Sequence, residues 1–237
     1  MSTNKRFLYR NFNKYNKNSD TKKGGRGKPV FPVAERLKPQ GFKEHNERAS
    51  MFVISLGGSV AFPETIDPLF FKKFYSCVKD EVKKGNKFVI IVGGGFICRA
   101  YQAAAEKISK ISNEDKDWLG IYVTHLNARF LMTVFKKESH PLLFDARHKI
   151  RAFGKYSVIV GAGWKPGCST DFDALQIAVD FHIPQLINLG KQDYVYTSNP
   201  DKDKSAQPIK VMAWRDYFKI IPESWKPGLN VPFDPIA

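Results

Sequence analysis

Residues 88–95 read FVIIVGGG, and this stretch decides the fold. Five apolar residues in a row, four of them β-branched, mark a short strand buried on both faces rather than a half-exposed one. Three glycines follow at once, and Ile97–Ile108 then shows helical spacing. Upstream the same order recurs. Phe52–Leu56 (FVISL) runs into Gly57-Gly58-Ser59, and Asp67 stands as the cap of a helix carrying Leu69, Phe70, Phe74, Val78 and Val82, with Gly85 as its stop. Downstream, Asn127–Lys137 has helical spacing. Val158–Val160 reads as a strand followed by AGWKPGCSTD (162–171), Asp173–Phe181 as a helix, and Leu186–Leu189 and Tyr194–Tyr196 as further strands. Strands alternating with helices predict an α/β fold with a largely parallel sheet covered on both faces.

Composition sets the outer limits. The 237 residues, 43% hydrophobic and 14% aromatic, are enough for a substantial core. No apolar run reaches the ~20 residues of a membrane span, and the N-terminus MSTNKRFLYR lacks the apolar centre of a secretory signal. Cys77, Cys98 and Cys168 are widely spaced with no CxxC pair. They argue against a disulfide framework or a zinc site and for a reducing, cytoplasmic setting.

The net charge of +15 is uneven: residues 1–48 hold 13 Lys or Arg against 4 Asp or Glu, which leaves +6 for the rest. This segment, with stretches such as NKYNKNSDTKKGGRGK, has no helix or strand period. It reads as a basic, disordered arm, with 49–237 as the folded domain. A contact with RNA through the basic arm is the alternative reading, since Phe7, Tyr9, Phe12 and Tyr15 among the charges suit base stacking.

Three glycine-rich bends, each between a strand and a helix, carry the chemistry. Ligands of open α/β sheets sit beyond the carboxyl ends of the strands, and backbone N–H groups at a helix start attract phosphate. Glycine is also common in such bends for steric reasons alone, so a single one would say little. GxxxxGK[ST], GxGxxG, HExxH and GxSxG are all absent, which sets aside P-loop proteins, dinucleotide folds, zinc proteases and serine hydrolases.

ISLGGSV (54–60), IVGGGFICRAYQ (91–102), DWLGIYVTHLNA (117–128), AGWKPGCSTDFDAL (162–175), YVYTSNP (194–200) and FDPIA (233–237) resemble, in this order, the motifs of the amino acid kinase superfamily. The likeness covers about 51–237 and is nearest to its archaeal-type uridylate kinase branch. It implies a three-layer α/β/α sandwich with a mainly parallel central sheet, transferring the γ-phosphoryl of ATP, with Mg²⁺ as MgATP, to UMP, within a homohexamer. By the same resemblance Gly58, Ser59 and Arg99 would be catalytic, and Gly58, Ser59, Gly95, Arg99, Gly190, Tyr196 and Asn199 would meet ATP. Gly94, Asp117, Trp164, Lys165, Pro166, Gly167, Cys168, Ser169 and Thr170 would meet UMP. No residue is assigned to a metal. Such a transfer needs two aligned anions with their charge neutralised, and no general base, since a phosphate oxygen is already a nucleophile.

Each of these side chains also has a plainer reading. Arg99 is a surface charge on a helix, Asp117 and Thr170 are helix caps, and Tyr196 and Trp164 are packing aromatics. Departures from the family pattern fall at the nucleotide sites. Phe96 stands where Lys is usual, His125 where Arg is common, Gly190–Asp193 (GKQD) where a Thr/Ser-Asn pair is expected, and Asn199 where Asp is usual. Phenylalanine cannot neutralise phosphate, so Lys165 or Lys191 is the substitute to test. Family members also run roughly forty residues past DPIA, so the last elements of the fold are expected to be missing. A nucleotide-binding protein without turnover, a regulatory subunit and a kinase of another acceptor therefore stand beside the UMP kinase reading.

Overall fold

A computed structural model describes residues 49–192, 194–222 and 233. The basic arm, Asp193 and most of FDPIA lie outside the described residues.

Four strands form the central sheet: β1 (Met51–Leu56), β2 (Lys87–Val92), β3 (Val158–Gly161) and β4 (Leu186–Leu189). Their order is β3-β2-β1-β4 and every pairing is parallel, with Ile54 opposite Ile90 and Ile187, and Ile90 opposite Val160. Isolated bridges from Ser139 to Val158 and from Phe144 to Gly161 pair the segment before β3 with its outer edge. Part of an otherwise open edge is thereby covered.

The buried strands divide their side chains by alternation, as the two-residue period of a strand dictates. Ile54, Leu56, Phe88, Ile90, Val92, Val158 and Val160 join one core, with Phe71, Phe74 and Val78 of α2 (Pro68–Lys83) and Ala128, Leu131 and Met132 of α4 (Asn113–Val134). Val53, Val89, Ile91 and Ile159 join the other, with Ala174, Ile177 and Ala178 of α5 (Thr170–Asp180) and Phe144, Ile150 and Phe153. This is the three-layer sandwich the sequence led us to expect. Each fully buried Leu, Ile or Phe contributes roughly 1.5–3 kcal/mol relative to exposure.

The helix boundaries correct the sequence reading in two places. The helix expected from Asn127 begins at Asn113, where Ser112 caps it. The Ser112 hydroxyl accepts from the Asp115 N–H at 3.1 Å, and the Asp115 carboxylate accepts from the Ser112 N–H at 2.8 Å, a reciprocal capping box. Asp117 is therefore not a cap. Likewise Ser169, not Thr170, caps α5, by accepting from the amides of Asp171 and Phe172. Asp67 does cap α2, accepting from Leu69 N–H at 2.8 Å.

Two pieces flank the sheet at its carboxyl end. The short α1 (Gly58–Ala61) and α3 (Gly95–Ile108) follow β1 and β2 directly. After β4 comes an antiparallel pair, β5 (Val195–Tyr196) with β6 (Pro208–Ile209), and then α6 (Trp214–Tyr217). Val195, Tyr217 and Phe233 are the centre of this small third core.

Candidate nucleotide site

All three glycine-rich bends open on one cleft of about 720 Å³ at the carboxyl ends of the strands. The bend after β1 contributes Gly57, Gly58 and Ser59, and the bend after β2 contributes Gly94 and Gly95. The connection after β3 adds Gly163, Cys168, Ser169 and Thr170. The first two bends interlock. A β-carbon on Gly58 would overlap the Gly95 nitrogen, and Gly95 has φ +70°, a conformation open to glycine and strained for other residues. The sequence thus needs glycine here for close backbone approach.

Helix starts add two positive ends, with the carboxylates of Asp171 and Asp173 in the first turn of α5. α3 begins at Gly95 behind Gly94, which has no side chain to cap it, and α5 begins at Thr170. Both helices therefore point positive ends into the cleft, the arrangement that holds phosphate. Among the described residues the cationic side chains on its wall are Arg99, on the second turn of α3, and Lys191, after β4. Both are exposed.

One side of the cleft is tied to α4. The Asp117 carboxylate accepts from Gly167 N–H at 2.8 Å. Burial pushes the Asp117 carboxyl above its usual range, the Gly167 bond opposes this, and the Glu114 charge adds to it. Thr124, 5% exposed, accepts from Gly163 N–H at 3.0 Å, and His125 Nε2 meets the Gly163 carbonyl at 3.0 Å. Asn127 donates to the carbonyls of Gly93 at 2.9 Å and Gly94 at 3.2 Å. At the opposite wall Ser55 donates to Asp171 at 2.5 Å, joining the end of β1 to the start of α5. Cys98 sits between the bend and Gly120. Burial raises its thiol pKa, the Arg99 charge lowers it, and Asp117 raises it.

Comparison with known proteins agrees with this architecture. Residues 50–236 match the amino acid kinase family. The chain belongs to that family. It is 31% identical over 189 residues to a uridylate kinase of Pyrococcus abyssi, covering 78% of this chain and 82% of that protein. A uridylate kinase of Methanococcoides burtonii is 30% identical over 192 residues, 79% of this chain and 80% of that protein. The crystal structure of the Archaeoglobus fulgidus uridylate kinase superposes with a TM-score of 0.55 at 28% identity, over 66% of this chain and 71% of that one. An aspartate kinase from Synechocystis, at 15% identity and TM-score 0.53, shares the fold.

Within this amino acid kinase fold, most of the residues singled out in the sequence meet at the cleft. Gly58, Ser59, Gly94, Gly95, Arg99, Asp117, Cys168, Ser169, Thr170, Gly190, Tyr196 and Asn199 all line it. Trp164, Lys165, Pro166 and Gly167 do not. Trp164 rests on Phe144 of the second core, ring centroids 6.0 Å apart, Lys165 is exposed, and Gly167 reaches the site through Asp117. Phe96 is 39% exposed and leaves the cleft open. Sequence reasoning passed over Ser55, Thr124, Asn127 and Asn188. Each is a buried polar residue inside an apolar stretch, and that mismatch was the available signal.

Proposed function

We propose that this phosphotransferase moves the γ-phosphoryl group of MgATP to UMP, giving ADP and UDP for pyrimidine nucleotide synthesis. The observation that carries this reading is the meeting of three glycine bends and two longer helix starts in one cleft of about 720 Å³. Phosphoryl transfer asks for alignment and neutralised charge more than for covalent work, and the glycine amides, Arg99, Lys191 and the Mg²⁺ of MgATP would supply them beside the carboxylates of Asp117, Asp171 and Asp201.

In this reading Gly58, Ser59 and Gly95 hold the donor phosphates, and Gly94 faces the acceptor phosphate. Gly190, Tyr196 and Asn199 border the adenosine. Asp117, Gly163, Cys168, Ser169 and Thr170 border the uridine, and Trp164, Lys165, Pro166 and Gly167 complete the same loop away from the cleft wall. Arg99 neutralises charge at the point of transfer. Lys191, which lines the cleft, takes the role left open by Phe96.

The donors present suit a metal that arrives on the nucleotide. Among the described residues no three carboxylate, imidazole or thiol groups gather into a cation site. Mg²⁺ would neutralise phosphate oxygens of ATP, and no side chain of this chain is assigned to it.

Residues 49–237 act as the kinase domain and the basic arm is an appendage to it. The protein works as a homo-oligomer, a hexamer by resemblance. In support, α4 exposes Trp118, Tyr122 and Leu126 at 40%, 67% and 63% along one stripe, surface that a second subunit would cover. Sedimentation across a hundredfold range of concentration checks this, and a monomer throughout would rule it out.

The deciding experiment is a coupled assay of ADP formation with MgATP and each nucleoside monophosphate. UMP-dependent turnover supports the reading. Nucleotide binding without turnover would make the protein a binding or regulatory subunit instead.

A further inference from the structure

Three polar residues of α4 hold the backbone of the cleft. Asp117 holds Gly167, Thr124 holds Gly163, and Asn127 holds Gly93 and Gly94. Their spacing of seven and three residues keeps them on one face of the helix. Asn127 is 4% exposed. A primary amide there is costly unless paired, and its two N–H groups serve two successive carbonyls.

That pairing has a directional consequence. In a planar trans peptide the carbonyl and the next N–H point opposite ways. Drawing the Gly93 and Gly94 carbonyls toward α4 therefore turns the N–H groups of Gly94 and Gly95 away from α4, and both residues line the cleft. We propose that Asn127 is a positioning residue for phosphoryl transfer, fixing the bend whose amides meet the transferring group. The inference rests on the function proposed above.

The test compares Asn127→Leu, which keeps the branching and heavy-atom count and removes both donors, with Asn127→Ser, which keeps one. Leu131→Ala is the control, since Leu131 lies on the same helix, is fully buried and belongs to the main core. All are assayed where circular dichroism shows them folded. Asn127→Leu is expected to lower kcat roughly tenfold to a hundredfold with both KM values within about twofold. Asn127→Ser should fall between, and Leu131→Ala should lose thermal stability with kcat kept. Affinity for an adenosine–uridine pentaphosphate bisubstrate analogue should fall in step with kcat. An Asn127→Leu enzyme with the kcat of the control, or with a loss confined to KM, overturns the proposal. If Asn127→Leu does not fold, Asn127→Ser decides by the same criteria. If the wild-type chain shows no turnover, the proposed function fails by itself. Analogue binding then still decides, and equal affinity in wild type and Asn127→Ser, or none in either, overturns the inference.

Discussion

Gly58 and Gly95 stand backbone to backbone: a β-carbon on Gly58 would overlap the Gly95 nitrogen and lie 2.8 Å from its Cα. The two glycine bends are thus one packed unit. Neither can be moved without moving the other.

Gly58→Ala forces them apart. Overpacking at a site walled by backbone costs about 1–3 kcal/mol, and a shift of ~1 Å between aligned groups costs about a hundredfold in rate. We expect kcat to fall by roughly a hundredfold and the melting temperature to drop by several degrees. Steady-state kinetics with a thermal melt checks both, and an alanine variant of wild-type rate would show that the bends do not act together.

Lys191 supplies the second test. It lines the cleft, whereas Lys165 does not. A charge-assisted contact to phosphate is worth about 1.5–3 kcal/mol, or roughly tenfold to a hundredfold in rate. Lys191→Ala should lose that factor in kcat/KM with MgATP, and Lys165→Ala should stay within about threefold of wild type. The reverse ranking would return the missing charge to Lys165.

The strands and bends were legible in the sequence because FVISL and FVIIV are buried on both faces and end abruptly at glycine. The start of α4 was not. Its apolar residues run almost all round, with Ile121 and Leu131 buried and Trp118, Tyr122 and Leu126 exposed, so the 3.6-residue period is smeared. Asp117 then looked like a cap, while the true capping pair, Ser112 and Asp115, lay in a polar run that read as loop. Ser55 and Asn127 escaped for a different reason. Their partners, Asp171 and Gly93, are 116 and 34 residues away in sequence, and only the fold brings them together. β6 and α6 are two and four residues long, too short to show a period.

One phenol joins two parts of the module after β4. Tyr217 donates its hydroxyl to the Phe233 carbonyl at 2.7 Å and accepts from the Phe233 N–H at 2.6 Å, both buried. Tyr217→Phe removes both of these buried bonds, at about 1–3 kcal/mol each. Since Tyr217, Ile220 and Ile221 also line the cleft, the variant should raise KM for ATP severalfold while KM for UMP holds. Hydrogen exchange at Phe233 should quicken in parallel. Unchanged exchange would mean that the module is held by other contacts.

Acid sensitivity follows from Asp180. Its carboxylate accepts from Arg147 Nε at 2.9 Å and Nη2 at 2.7 Å, and its pKa is lowered from 3.8, chiefly by the hydrogen bond from Arg147. Burial opposes that shift, and the charges of Arg147, His148 and His182 reinforce it. A carboxyl whose folded pKa is depressed adds stability above its unfolded pKa and loses it as pH falls through the folded value. The window therefore lies below about pH 4. The pair ties the loop before β3 to α5, but Arg147 is half exposed, so solvent screening keeps the gain small. Asp180→Asn should melt a few degrees lower than wild type at pH 7. The gap should narrow steadily below pH 4 as the wild-type carboxylate takes up its proton. Melting curves from pH 7 to 3 measure it, and a gap constant over that range would show that the pair contributes no linkage.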